Sequence, residues 1–469
     1  MNGVGEKRSV RESTGAMRLA REMALIFLLL AFFASAEEIF ETTESTDTTT
    51  TSDEFFEEIQ EIDEGSSSPQ NQTVDFRGAK VFRVKLKNAS QNRLFKQLVE
   101  EELIDVWLHT KGNASRAEFL ILPQNLEKVQ SLLQEAKIQP KIMIPDLQKL
   151  IKTNDRVNLN NIALRSGYSL NWDEYHQFGV IHAFLDYYAT AYPDICTVKT
   201  IGKTREERDI KLIKISSGAE SNPAVFIDGG IHAREWISPA SVTYIIKELV
   251  ENREKYSSFV DKVDFYIVPL INVDGYEYSH TRDRLWRKNR ADLFGFCNGV
   301  DLNRNFGYKW GTSGSSFFRC SNIYRGSSAF SEPETKALRD FILESQVNFQ
   351  AYLSFHSYGQ LILYPYGYAS NELPDDVDDL DRVGKAAASA VRKLSGTKYT
   401  VGNAAQVLYS SSGASDDWAK GDAKIKYSYV VELSDKGKYG FVLPEKFIKS
   451  TAADAFEIVK VVADEVRGV

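Results

Sequence analysis

Cysteine is scarce in this chain, with three residues in 469. A framework of several disulfides is excluded, and at most one intramolecular bridge can form. Long apolar runs are nearly absent too. The most apolar run, Met23 to Phe33, is too short to span a bilayer. The 29 glycines and 12 prolines rule out collagen-like and low-complexity classes. Excess positive charge is also missing: the formal net charge is −8, which argues against a nucleic-acid partner. Basic residues are absent altogether from Glu37 to Asp75, where 13 acidic residues fall. From Phe76 to Arg165 the balance reverses to 16 basic against nine acidic. The acidity is therefore a local tail and not a property of the whole surface. What the chain does have is 43% hydrophobic residues, enough for a sizeable core.

Arg18 and Arg21 precede Met23–Phe33, and Ala34-Ser35-Ala36 follows. A basic flank, a short apolar stretch and a small-x-small exit predict a signal peptide over 1–36, with Met17 as an alternative initiator. The mature chain is expected to be secreted, with no membrane span. Sequons at Asn71, Asn88 and Asn113 offer glycan acceptors. In an oxidising compartment Cys297 and Cys320 are the expected disulfide, because both sit in Gly/Ser/Asn-rich, loop-like sequence. Cys196 lies in a strand-like run and reads as a small buried hydrophobe.

Residues 37–75, rich in Thr, Ser and Glu, cannot bury enough surface to fold and read as a disordered acidic leader. Residues 76–150 show the order β-α-β-β-α-β, the pattern of a small ferredoxin-like α+β sandwich. Residues 151–165 read as a linker in which Lys152, Arg156 and Arg165 are open to a trypsin-like protease. From 166 to 469, strand-like runs alternate with helical stretches. Examples are the strands Ala224–Asp228, Phe265–Leu270, Ala351–Phe355 and Ser428–Leu433, and the helices Pro239–Glu251, Glu332–Glu344 and Pro444–Val466. This predicts a single large α/β domain, a mixed sheet with helices on both faces. Its site should lie at the carboxyl ends of strands, near a switch in strand order.

His232 and Glu235 follow the strand Ala224–Asp228 and the pair Gly229-Gly230. A strand that ends so and turns into His-x-x-Glu aims both side chains beyond the sheet. His and carboxylate are zinc ligands, and a catalytic zinc takes three protein ligands. His356, ending another strand, is a candidate third. Gly230-Ile231-His232-Ala233-Arg234-Glu235-Trp236-Ile237 resembles the zinc signature of the metallocarboxypeptidase family, typified by pancreatic carboxypeptidases A and B. His356-Ser357-Tyr358 resembles the family's third-ligand motif. Leu285-Trp286-Arg287-Lys288-Asn289-Arg290 and Val300-Asp301-Leu302-Asn303-Arg304-Asn305 resemble its two arginine motifs. Tyr364-Pro365-Tyr366-Gly367 and Val431-Glu432-Leu433 follow in family order. Residues 76–165 resemble the family's activation segment; the leader has no counterpart in the pattern.

The resemblance implies one zinc per chain, held by His232, Glu235 and His356, with Asp301 orienting the first histidine. It implies Glu432 as general base and Arg287 as the charge facing the scissile carbonyl. Asn303, Arg304 and Tyr409 would grip a terminal carboxylate, and Arg234 and Tyr358 would line upstream subsites. Asp416 matches the floor of the pocket for the C-terminal side chain, where an acidic group selects Lys or Arg. Ala404 keeps that pocket roomy. Adjacent Asp417 is the competitor: a one-residue slip would turn Asp416 away. Ala414 departs from the glycine usual there. The implied protein is a monomeric proenzyme acting on peptide or protein C-termini. Its own pro-domain inhibits it, and cleavage after Arg165 by a trypsin-like protease activates it. Three alternatives stand beside it: a carboxypeptidase A-like preference for apolar ends, an inactive binding homologue, and an amidohydrolase of the same fold.

Overall fold

The computed structural model describes residues 73–111, 115–154, 168–219, 222–292 and 297–468. The expected signal peptide, the acidic leader up to residue 72, Asn71, Asn113, Arg156 and Arg165 lie outside the described residues. No described helix is long and apolar enough to cross a membrane.

The first module runs β1 (Lys80–Leu86), α1 (Ala89–Glu100), β2 (Asp105–Thr110), β3 (Ser115–Ile121), α2 (Leu126–Glu135), β4 (Lys141–Ile144). Its sheet order is β2-β3-β1-β4, with β1 antiparallel to both neighbours. The strand alternation explains its two faces. Phe82, Val84, Leu86, Phe119 and Ile121 meet Phe95 and Leu98 of α1 and Val129 and Leu133 of α2. The other face carries Val81, Trp107, Leu108 and Leu120, which pack on Leu285, Tyr358, Phe441 and Val442 of the large domain. Asn88 caps α1, its Oδ1 accepting from Gln91 N–H at 2.9 Å. One boundary differs from expectation. The chain does not become a linker at residue 151, because α3 (Leu147–Asn154) crosses that point. Leu147 and Ile151, four apart on one helical face, are buried against the module and hold it helical. Lys152 therefore sits in a helix.

The large domain contains α4 (Phe178–Ala191), β5 (Cys196–Lys203), β6 (Asp209–Ile215), β7 (Ala224–Gly229), α5 (Ile237–Glu251), β8 (Asp264–Val268) and α6 (Val273–Thr281). Then follow α7 (Pro333–Glu344), β9 (Phe349–Ser357), β10 (Leu361–Tyr364), α8 (Val377–Ser395), β11 (Thr400–Asn403), α9 (Ser415–Gly421), β12 (Tyr427–Leu433) and α10 (Ile448–Val466). Eight strands form one mixed sheet, ordered β11-β10-β12-β9-β7-β8-β6-β5. The central four, β12, β9, β7 and β8, are mutually parallel. Such strands are covered on both faces. Side chains of α4, α5, α8 and α10 fill one face, among them Phe184, Val242, Leu380 and Phe456. Leu338 of α7 and Trp418 of α9 cover the other, against Phe226 and Tyr352.

Chain order fixes where a site can form. From β7 the sheet grows toward β8 on one side and β9 on the other. That reversal opens a crevice at the carboxyl ends of β7 and β9. The turn out of β7 needs Gly230, which has φ +64°; a Cβ there would lie 2.5 Å from Leu270 Cδ1. Cys297 and Cys320 form the expected disulfide, with Cα atoms 4.7 Å apart. Cys196 is a buried free thiol, and burial pushes its pKa up to about 12.

Candidate active site

His232 follows β7 and His356 lies near the end of β9, so neighbouring parallel strands deliver both rings to the crevice. The Glu235 carboxylate joins them. His232 Nδ1 is 2.8 Å from Glu235 Oε1, and His356 Nδ1 is 3.2 Å from Glu235 Oε2. The two Nδ1 atoms are 3.2 Å apart, and one ligand atom from each of the three residues falls within 4.8 Å of the others. All three residues are buried. Three electron-pair donors aimed at one point repel each other unless a cation sits among them, so the donor set fits a divalent metal. Two imidazoles and a carboxylate suit zinc with a position left open.

Asp301 backs this cluster. Its Oδ1 lies 3.2 Å from His232 Nε2 and accepts from Asn303 N–H at 3.1 Å. Its Oδ2 accepts from Arg287 Nε at 3.1 Å and Nη2 at 3.0 Å. Burial disfavours its charge, yet Arg287, Arg304 and His232 together hold its carboxyl well below the usual range. Arg287 thus carries a fixed counter-ion and still reaches to 3.8 Å from Glu235. Glu432 arrives on β12, paired in register with His356, so it faces the same cavity. Burial pushes its carboxyl above the usual range; His356 opposes the shift and Glu235 adds to it. Arg304 is held by the carbonyls of Gly314 (2.9 Å) and Asn303 (2.8 Å), and its Nη2 donates to Tyr409 Oη at 3.2 Å. Asn303 Oδ1 accepts from Ser415 N–H at 2.8 Å, which ties this group to the start of α9.

The two adjacent carboxylates of α9 divide cleanly. Asp417 turns away from the cavity, accepting from the N–H groups of Gly367 at 2.7 Å and Tyr368 at 3.0 Å. Asp416 lines the cavity with Ala404 and Ala414, and its buried Oδ2 has no hydrogen-bond partner among the described residues. Burial pushes the Asp416 carboxyl up to about 6. Burial and then Asp416 raise Asp417 far above the usual range.

The first module closes this cavity. Trp107, Leu108 and His109 line it beside His232, Glu235 and His356. Trp107 packs on Phe441 at 5.0 Å, and His109 stacks on Tyr409 at 6.2 Å. Arg234 does not line the cavity. Its Nη1 donates to Asp105 Oδ2 at 2.6 Å, and its guanidinium lies 4.2 Å over Phe441. Tyr358 donates to Glu118 Oε2 at 2.8 Å. Lys111 donates through Nζ to Ala405 O at 2.9 Å, and its backbone N–H to Val407 O at 3.1 Å. About 90 Å³ remains, well below the ~300–1,000 Å³ of a working ligand pocket. The site is formed but shut. Sequence reasoning missed the residues that shut it, since Asp105, Trp107, His109 and Glu118 read simply as members of two strands. The missed signal was composition: polar residues, Glu118 among them, on sheet positions that a free module would keep apolar or wet.

Residues 181–458 match the zinc carboxypeptidase family, and residues 82–154 match the carboxypeptidase activation peptide. The chain belongs to the zinc carboxypeptidase family. Among its relatives is carboxypeptidase B of Astacus astacus, 47% identical over 300 residues, covering 64% of this chain and 99% of that one. Human carboxypeptidase B is 37% identical over 399 residues, covering 83% of this chain and 94% of the relative. Among solved structures, carboxypeptidase A from Helicoverpa armigera superposes with TM-score 0.77 at 32% identity, over 84% of this chain and 98% of that one. This zinc carboxypeptidase is a hydrolase made with an activation peptide, and the module at β1–α3 is that peptide, seated over the cleft.

Proposed function

We propose that this zymogen is secreted and, once its activation peptide is removed, releases C-terminal Lys or Arg from peptides. One observation carries the specificity: the buried, unpartnered Oδ2 of Asp416 in the wall of the cavity that holds the metal ligands. A buried carboxylate oxygen without a donor is costly. A guanidinium or ammonium entering the cavity would supply that donor. Ala404 and Ala414 leave room for the long stem of such a side chain.

Roles follow from position. Arg304, with Asn303 and Tyr409, fits the terminal carboxylate, since a guanidinium forks onto a carboxylate. Zinc held by His232, Glu235 and His356 would supply a Lewis acid that polarises the scissile carbonyl and acidifies water. Glu432 takes a proton from the attacking water and passes it to the departing amine. Arg287, fixed by Asp301, places positive charge where the oxyanion develops. Asp301 keeps His232 in one orientation. Arg234 and Tyr358 become free for upstream substrate residues only when Asp105 and Glu118 leave.

Release requires a cut in or beyond the last turn of α3. Arg165 is the proposed position, with Arg156 and Lys152 as competitors; Lys152 is disfavoured because α3 must first unwind there. The sequence pattern at 23–36 supports secretion. Trypsin treatment of the full chain should raise its rate on Lys- and Arg-ended peptides far above that on Leu- or Phe-ended ones. Confirmed cleavage without that gain refutes the zymogen reading; a gain with apolar preference refutes the pocket assignment.

A further inference from the structure

Behind His356 the sheet carries polar side chains in the middle of its apolar core. β9 alternates, so Tyr352, Ser354 and His356 share one face, and all three are buried. Strand register sets Asp228 of β7 beside Ser354. Asp228 is 0% exposed, on a strand otherwise reading Ala-Val-Phe-Ile. A carboxylate in such a place costs several kcal/mol unless it is paired or hydrogen-bonded, so its neighbours matter. Ser354 Oγ donates to Asp228 Oδ1 at 2.7 Å and lies 3.0 Å from His356 Nε2. Tyr352 places its hydroxyl near the same carboxylate.

Proton counting then fixes the direction of the chain. Burial raises the Asp228 carboxyl to about 6, so above that pH it is ionised and only accepts, and the single Ser354 proton points to it. The Ser354 oxygen can then only accept from the ring, and His356 Nε2 must carry the imidazole proton. Nδ1 is left with its lone pair, as the neutral ring allows. That atom faces Glu235 Oε2 and His232 Nδ1, each at 3.2 Å. His232 shows the same logic in shorter form, with Asp301 directly on its Nε2 at 3.2 Å.

We propose that Asp228, acting through the Ser354 hydroxyl, is a positioning residue that fixes His356 as its Nε2–H tautomer and aims Nδ1 at the metal. The two ligand histidines are thereby locked by two buried carboxylates, one in direct contact and one through a hydroxyl. The inference rests on the zinc carboxypeptidase reading for the identity of the metal.

The test uses the full chain loaded with zinc. In ¹⁵N-labelled protein, the His356 proton should be found on Nε2; a proton on Nδ1 overturns the proposal without any substitution being made. Transfer of zinc to a chelator is the second readout. Ser354→Ala and Asp228→Asn should each lose zinc about 10–100-fold faster, while Ser354→Thr, which keeps the hydroxyl, should stay within about threefold of the unmodified chain. The double variant should lose zinc no faster than Ser354→Ala alone, because both changes break one chain. Unchanged rates, or rates that multiply in the double variant, overturn the proposal. Failure of the trypsin-treated unmodified chain to release any C-terminal residue, with zinc loss behaving as stated, would remove the functional reading and leave the positioning role standing.

Discussion

At the metal end of the cavity the charged groups are already spoken for. Glu235 meets both histidines and the Ser357 N–H at 3.1 Å, and Asp301 meets His232, Arg287 and Asn303. At the pocket end, Asp416 Oδ2 is buried without a hydrogen-bond partner among the described residues. On the proposed function, the difference follows from what each end would hold. An ion that stays needs its ligands aligned beforehand, because preorganisation lowers the cost of binding it. A side chain that comes and goes needs an unmet charge, because a carboxylate satisfied from within gains nothing from a guest. Asp417, one residue on, makes the contrast internal to one helix: it is satisfied by Gly367 and Tyr368 and so serves structure.

The contrast can be broken at its strongest point first. Glu432→Gln keeps shape and removes the proton acceptor. Hydrolysis by the cleaved enzyme should fall by about 10²–10⁴-fold, while metal analysis still finds zinc at one per chain. Loss of zinc with activity would show that Glu432 holds the metal end together and does not act as a base.

Next comes the pocket end. Asp416→Ile should cost Lys- and Arg-ended peptides about 2–5 kcal/mol in kcat/KM, the usual toll for losing one member of a buried charge pair, and should improve Leu-ended ones. Asp417→Asn should leave that preference alone and instead lower the melting temperature, since an amide offers one acceptor oxygen to the two backbone N–H groups and leaves a buried donor unsatisfied, at a cost of about 1–3 kcal/mol. If the two variants exchange phenotypes, the division between the neighbours is wrong.

The smallest effect is one of pH. Burial sets the Asp416 carboxyl at about 6, above its ordinary range, so it is charged above that pH and neutral below it. The ratio of kcat/KM for a Lys-ended over a Leu-ended peptide should be level above pH 7. It should fall as pH drops through about 6. Taking the ratio cancels titrations that affect both substrates alike. A ratio flat down to pH 5 would mean that Asp416 does not face the guest.

Much of this could be read before folding. The strand ends that deliver His232 and His356, the split βαβ order of residues 76–150 and the Cys297–Cys320 pairing all rest on local pattern: alternation, turn residues and motif spacing. What escaped was set by contacts between distant segments. α3 continues past residue 151 because Ile151 finds a buried surface, which the polar local sequence does not announce. Arg234 matches an upstream-subsite residue by motif, and only the folded chain shows that Asp105, 129 residues away in sequence, holds it in the zymogen. Asp228 sits in a strand that reads as plain core, and only the register with β9 shows it next to Ser354.

The order of residues alone carries the fold class, His232, Glu235 and His356 as candidate metal ligands, and the pair Asp416-Asp417 as candidates for the pocket. Those features are carried by side-chain type and short-range spacing, which exist before the chain folds. Tertiary structure decided which aspartate faces the cavity and which caps backbone. It also decided that the activation peptide fills the cleft with Trp107, Leu108 and His109, and that a serine and an aspartate stand behind His356. Those are matters of orientation and long-range register, and a carboxylate has its role set by the donors that packing brings to it or withholds.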